Sequence, residues 1–382
     1  MDGTEMDYFI EISRIVEGAL SGDKKRVVAY LDQLSKKLKR DGDEPTAKMF
    51  FNYIKTANMD SLTTSGVQSA RLPVDAESRL SLADESFISR GEVSMIMPPG
   101  MKDKVREFLN YIRHSAKLIT SGVGISPSML MYGPPGVGKT ELARYIASEL
   151  ELPLLTARAD SLISSYLGST AKNLRLLFDH ANSRPCILFL DEFDAIAKLR
   201  DDQHELGELK RVVISLLQNI DTLNQDTILL AATNHQHLLD PAIWRRFTYK
   251  LEFTLPSAAE RKQMLPIFLQ KYMTPKIDLE LLSSLSSELS GATIKQLCES
   301  AIRNAILARR KTVDFNVLLK EFIKEKLPLE FTFDIKDSES LAIFNKEFKG
   351  KISQSKMAEL FLTSDSTMSR RINEVEISHE QQ

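Results

Sequence analysis

The sequence is short of cysteine, of charge imbalance and of long apolar runs, and each shortage excludes a class of protein. Only two of its 382 residues are cysteine, so a disulfide framework of the secreted kind is excluded. Cys186, in an apolar run, and Cys298, in a helical pattern, read as small buried hydrophobes in a reducing compartment. Fifty basic residues face 52 acidic ones, a net charge of −2, which excludes a chain-wide field for a polyanion and leaves only local basic patches for nucleic acid. The longest apolar runs, such as Cys186-Ile-Leu-Phe-Leu190, fall far short of the ~20 residues a membrane helix needs. The opening Met1-Asp-Gly-Thr-Glu-Met-Asp7 is acidic where a secretory leader is basic and then apolar. Together these predict a cytoplasmic protein with no membrane span, and the length predicts two or three domains.

What is present begins with residues 128 to 140, Ser128-Met-Leu-Met-Tyr-Gly133-Pro134-Pro135-Gly136-Val137-Gly138-Lys139-Thr140. An apolar strand runs into a glycine-rich turn and then a helix, in which Leu142, Ile146 and Leu150 recur at helical spacing. Glycines at 133, 136 and 138 let successive backbone N–H groups turn inward, so the loop is an anion nest capped by a helix N-terminus. Lys139 then reaches the β- and γ-phosphates of a nucleotide as a point charge, and the Thr140 hydroxyl joins the shell of Mg²⁺. Glu141 opens the helix behind them.

Taken in order, residues 1–58 read as a small domain of three helices, broken at Gly22 and at Asp41-Gly42. Its Lys36-Lys-Leu-Lys-Arg40 run is either a solvated helix end, where positive charge suits the dipole, or a nucleic-acid contact. Residues 59–91, small and polar without a period, read as a linker. Val105, Phe108, Leu109 and Ile112 then mark an amphipathic helix, Leu154 to Ala157 a strand, and Ser169 to Asn182 a further helix. Cys186 to Leu190 is uniformly apolar, as in a parallel sheet covered on both faces, and ends in Asp191 and Glu192. At the carboxyl end of such a strand, Asp191 suits Mg²⁺ through its water shell, and Glu192 suits the water that attacks the γ-phosphate. A second buried run, Thr227 to Thr233, ends in Asn234, either a turn residue or the group that orients that water. Arg245 and Arg246 follow a short apolar helix.

These stretches resemble the AAA ATPases over roughly residues 92–326: Gly133-Pro-Pro-Gly-Val-Gly-Lys-Thr140, Ile187-Leu-Phe-Leu-Asp-Glu-Phe-Asp-Ala-Ile196, Ala231-Ala-Thr-Asn234, Asp240-Pro-Ala-Ile-Trp-Arg-Arg-Phe247 and Ser290-Gly-Ala-Thr-Ile294. The resemblance implies an α/β fold of the P-loop NTPase kind, a five-stranded parallel sheet with helices on both faces at 92–256 and an α-helical lid at 257–328. It implies a bacterial single-ring member related to the spastin- and katanin-like module, an ATPase using ATP and Mg²⁺ in a homo-oligomer, a hexameric ring. Arg245 and Arg246 then reach the neighbouring subunit's nucleotide, together or with one acting and the other at the rim. Gly291 and Ala292 approach the purine and ribose. Tyr166, Leu167 and Gly168 match a pore loop that grips a polypeptide. A separate subtilisin-like protease is an implied partner. The sequence departs from the family pattern at Ser169, at Thr248 and at Glu92 to Gly100.

Residues 329–382 form a C-terminal extension. Within it, Lys351 to Ile372 reads as helix, tight turn, helix, and resembles a bacterial helix-turn-helix, with Met357, Ala358, Phe361, Met368 and Ile372 as its apolar contact. Leu362 stands where glycine is usual and Arg371 where an apolar residue is usual. Ser366, Thr367 and Arg370 suit either base edges and phosphates or a protein partner. The predicted function is therefore ATP-driven remodelling of polypeptides through a ring's pore. The alternative is an ATP-controlled DNA-binding regulator.

Overall fold

A computed structural model describes residues 8–20, 24–59, 72–75, 80–158, 162, 167–197 and 206–380. Six strands form one sheet in the order β1-β3-β4-β5-β2-β6: β1 Ala83–Ser86, β2 Ser128–Tyr132, β3 Leu154–Ala157, β4 Cys186–Leu190, β5 Thr227–Thr233 and β6 Tyr249–Glu252. The five strands from β3 to β6 are parallel, as the apolar runs predict, and β4 and β5 are buried along their whole length. Helices Leu167–Asn182 and Leu206–Asp221 bury Leu174, Leu177, Phe178, Val212, Leu216 and Ile220 in the same apolar cluster as Leu188, Leu190, Leu229 and Ala231. At about 1.5–3 kcal/mol per fully buried large apolar side chain, this cluster dominates the stability of the unit.

The sheet gains one strand that the linker reading of 59–91 does not contain. β1, with sequence Ala-Asp-Glu-Ser, pairs antiparallel with β3, Ala83 opposite Ala157 and Ser86 opposite Leu154. Its composition is poor for a strand, so pairing to a preformed edge overrides propensity. Other parts of that stretch, 60–71 and 76–79, lie outside the described residues.

The N-terminal helices, Phe9–Leu20, Lys24–Arg40 and Glu44–Met59, pack on the same unit as the sheet. Arg14, 3% exposed, lies 3.1 Å from Asp226 and donates to Ser115 and Glu17. Arg40 pairs with Glu151, whose carbonyl accepts from Gln33. Asp226 precedes β5, so these helices sit at the end of the strands away from Thr233. Within the basic run, Lys37 pairs with Glu11 and Arg40 with Glu151 in this packing, while Lys36 pairs with Asp32 on its own helix.

A second unit comprises residues 96–98, 134–138 and 254–382. Its helices start on their own caps: Ser257 and Glu260 form a capping box, and Asp278, Ser290, Asp314, Asp337 and Ser353 each accept an N–H of the first turn. One apolar cluster runs from Leu265 and Ile294 through Phe322 to Phe344, Met357, Phe361 and Met368. The boundary expected at 328 falls inside it, so lid and C-terminal extension share a core. Helices on both sides of residue 328 contribute side chains to this one cluster. Packing of Phe331 and Phe333 against Phe344 and Phe361 closes the gap between them.

Candidate active site

Parallel neighbours in register deliver their carboxyl ends to one edge. β2, β4 and β5 stop at Tyr132, Leu190 and Thr233, with Tyr132 opposite Thr233 and Leu190 opposite Ala231. Gly133, Asp191 with Glu192, and Asn234 are therefore the residues that emerge together, the place where open α/β sheets bind ligands.

Backbone geometry explains the glycines at the start of the cradle. Gly133 has φ +142° and its N–H donates to Thr233 O at 3.3 Å, and a Cβ there would meet Phe253 O at 2.1 Å. Gly136 has φ +74°, and a Cβ would meet Ser290 Oγ at 2.6 Å and Ala292 Cβ at 3.0 Å. Within that unit Ala292 N–H donates to Gly136 O at 2.9 Å. Gly291 and Ala292, at the start of helix Gly291–Leu307, are thus brought against Gly136. Pro134 and Pro135 are exposed, Val137 and Gly138 half-buried, and Glu141 faces solvent 3.7 Å from Arg144.

The side chains form a connected rim. Lys139, 7% exposed, donates from Nζ to Gly133 O at 2.8 Å and to Asn234 Oδ1 at 2.6 Å. Burial lowers its pKa, opposed by the carboxylates of Asp191 and Asp194. Thr140 Oγ1 donates to Asp191 Oδ2 at 2.8 Å, while Asp191 Oδ1 accepts the Glu192 N–H at 2.9 Å. Glu192 itself is exposed, at φ 48°. Two residues that the sequence reading did not single out complete the rim: Thr233 Oγ1 donates to Asp194 Oδ1 at 2.6 Å and accepts the His235 N–H at 3.0 Å. The signal for them was the second acid after Asp191 and the hydroxyl before Asn234.

The donor set fits Mg·ATP. A hydroxyl and a carboxylate already within hydrogen-bond distance are hard oxygen ligands. Among the described residues no group of three or more His, Cys, Asp or Glu could hold a metal alone.

The two arginines differ. Asp240 caps the short helix Pro241–Trp244 that precedes them. Arg246 makes a two-pronged pair with Asp221, both contacts 3.0 Å, which raises its pKa. Arg245 is exposed, and its guanidinium has no ion pair among the described residues. Of the expected pore loop, Tyr166 lies outside the described residues, and the backbone of Leu167 and Gly168 opens helix Leu167–Asn182.

In the C-terminal extension, Met357, Ala358, Phe361 and Met368 are buried, and Leu362 takes the left-handed turn position at φ 52°. Arg371 is turned inward to the protein, donating to Ile335 O, Lys336 O and Ser338 Oγ and pairing with Glu374. Arg370 lies 3.7 Å from the same Glu374. Ser366 and Thr367 share hydrogen bonds with Ser364. Ser366, Thr367 and Arg370, the residues expected to reach base edges or phosphates, thus each have a partner within the chain.

Residues 129–255 match the family described as ATPase family associated with various cellular activities. The chain is 44% identical over 220 residues to an uncharacterised AAA family ATPase of Sinorhizobium fredii, covering 57% of this chain and 65% of that protein. It is 33% identical over 274 residues to a 26S proteasome regulatory subunit homolog of Arabidopsis thaliana, covering 68% and 66%. It is 34% identical over 250 residues to a proteasome-activating nucleotidase of Saccharolobus solfataricus, covering 62% and 64%. The chain thus spans less than two thirds of the length of each of these relatives.

Proposed function

We propose, from the premise that the chain belongs to the AAA family through residues 129–255, that it hydrolyses ATP at a site completed by a second copy of itself. The observation that carries this reading is the rim in which Lys139, Thr140, Asp191 and Asn234 are tied around the opening of the loop at Gly133, with Glu192 exposed next to Asp191. Lys139 trades its bonds to Gly133 and Asn234 for the phosphates, and Asn234, released, is free to hold the attacking water. Glu192 orients that water and takes its proton. Thr140 and Asp191 would hold Mg²⁺, which would supply positive charge against the phosphate oxygens.

Arg245 is the finger lent to the next subunit. Its guanidinium is exposed and uncommitted, and such a group is worth about 10³ to 10⁵ in rate when it meets the transferring phosphoryl. Arg246, held by Asp221, is a positioning residue that fixes the loop presenting Arg245. The assembly is a homo-oligomeric ring, hexameric by resemblance. Relatives named as proteasome-activating nucleotidase and proteasome regulatory subunit support polypeptide remodelling as its work, with Tyr166, Leu167 and Gly168 at the pore. A subtilisin-like protease partner rests on the resemblance alone. No helix among the described residues is long and apolar enough to cross a membrane, and two buried free thiols suit the expected cytoplasm.

Mixing Lys139→Ala protein with an Arg245→Ala/Arg246→Ala variant tests the shared site. Each alone is expected to be inactive, and the mixture to regain turnover, because some interfaces pair an intact pocket with an intact finger. A mixture that demonstrably co-assembles and stays inactive refutes the shared site.

A further inference from the structure

Glu192 carries a side chain yet sits in the left-handed region at φ 48°. For a residue with a Cβ that conformation costs about 1–2 kcal/mol and persists only where neighbours over-determine it. The neighbours are identifiable. Before the turn, Asp191 Oδ1 accepts the Glu192 N–H. After it, Phe193 N–H donates to Ala232 O at 2.8 Å, and the Phe193 ring packs edge-on against Phe247 with centroids 5.8 Å apart. One residue further, Asp194 accepts the Thr233 hydroxyl at 2.6 Å.

Thr233 is 1% exposed and is fully used. Its hydroxyl accepts from His235 N–H while donating to Asp194, and its carbonyl accepts from Gly133 N–H. A hydroxyl that accepts and donates at once is polarised, so both bonds are strengthened, and one to a carboxylate is among the stronger kinds. The next residue, Asn234, holds Lys139. A single clamp therefore joins the turn bearing Glu192 to the strand end bearing Asn234.

We propose that Asp194 and Thr233 are a positioning pair for ATP hydrolysis, holding the left-handed turn so that the Glu192 carboxylate stays at a fixed distance from the phosphate-binding lysine. The inference rests on the proposed hydrolysis at Glu192. Neither residue need touch the nucleotide. A loosened turn leaves binding by Lys139, Thr140 and the loop intact and lowers only the fraction of bound states in which Glu192 is aligned, a loss in kcat. Valine at 233 keeps the volume and removes both hydrogen bonds, whereas serine keeps both.

The test uses the full chain. Wild type and Glu192→Gln first settle the underlying reading by ATP turnover and by binding of a fluorescent ATP analogue. Wild type without turnover refutes that reading whatever residue 233 does. Thr233→Val, Thr233→Ser, Asp194→Ala and the Thr233→Val/Asp194→Ala double variant follow. In the valine and alanine variants kcat is expected to fall about tenfold or more, with KM and analogue affinity within about twofold, and the double variant to be no slower than either single one. Thr233→Ser is expected to turn over near the wild-type rate. Wild-type kcat in Thr233→Val, a loss carried by analogue affinity, or additive losses in the double variant each overturn the pair. Should the valine variant not fold, Asp194→Ala against Thr233→Ser reads the same split.

Discussion

The sheet-bearing unit and the helical unit spend their polar side chains in different ways. In the first, the polar contacts at the strand ends are long in sequence: Lys139 to Asn234 spans 95 residues, Thr140 to Asp191 spans 51 and Thr233 to Asp194 spans 39. In the second, most polar side chains at element ends serve the helix they begin, as Ser257, Asp278, Ser290, Asp337 and Ser353 do. A cap stabilises its own helix and needs nothing from elsewhere. A long-range tie between strand ends adds little to a sheet already paired and buried, so its residue types are set by what the rim must hold. The difference separates ties that set the geometry of the strand-end rim from caps that hold single helices.

The sharpest way to break that comparison is to exchange the two kinds of loss. Phe344, fully buried among Phe331, Phe333, Phe348 and Phe361, is expected to cost about 3–5 kcal/mol of stability when replaced by alanine. Lys139→Met is expected to do the reverse, leaving stability unchanged or raised, because it removes a buried charge whose pKa burial already lowers, while abolishing turnover. Chemical denaturation and ATP hydrolysis measured on both variants decide the matter. Lys139→Met losing stability on the scale of Phe344→Ala would make the rim a structural element.

How far each region was legible follows from the same contrast. Uniformly apolar runs at 186–190 and 227–233 announced buried parallel strands, and the polar residues just past them announced the rim. β1 was hidden, because Ala-Asp-Glu-Ser has no strand character of its own and forms by pairing with β3. Thr233 and Asp194 were hidden as a pair, since nothing local in either stretch points to a partner 39 residues away. In the second unit the helices were readable from caps and spacing. Their common core was not, because an apolar helix face records that it is buried but not against what. The inward turn of Arg371 has the same origin: nothing local in its helix shows that the carbonyls of Ile335 and Lys336 lie beneath it.

A smaller effect sharpens the claim that caps act locally. The Asp337 carboxylate accepts from Ser340 N–H at 3.1 Å and from Thr332 Oγ1 at 2.9 Å, and the Ser340 bonds hold its pKa below the usual carboxylate value. A depressed folded pKa means that the unfolded chain binds the proton more readily. The cap's contribution is complete above the ordinary aspartate pKa and is lost as pH falls through the lower folded value. Asp337→Asn keeps an acceptor without a titrating charge. Wild type should therefore lose up to about 1 kcal/mol relative to Asp337→Asn on acidification through that window, with the two alike in slope near neutrality. Parallel stability curves across the acid range would remove the carboxylate from the cap.

The finest distinction comes from the two thiols, one in each unit. Burial pushes both Cys186 and Cys298 up to about 12, so near pH 8 about 10⁻⁴ of either is thiolate and alkylation in the native state awaits an opening. Cys186 lies in β4, with β3 on one side and β5 on the other, and exposing it means parting the middle of a sheet. Cys298 lies on helix Gly291–Leu307, which can leave its cluster without breaking any strand pairing. In sub-denaturing urea Cys298 is expected to be labelled first, with peptide mass spectrometry reading the two sites separately. Equal rates would mean that both thiols wait on one common opening, and earlier labelling of Cys186 would make the sheet, for all its burial, the looser of the two regions.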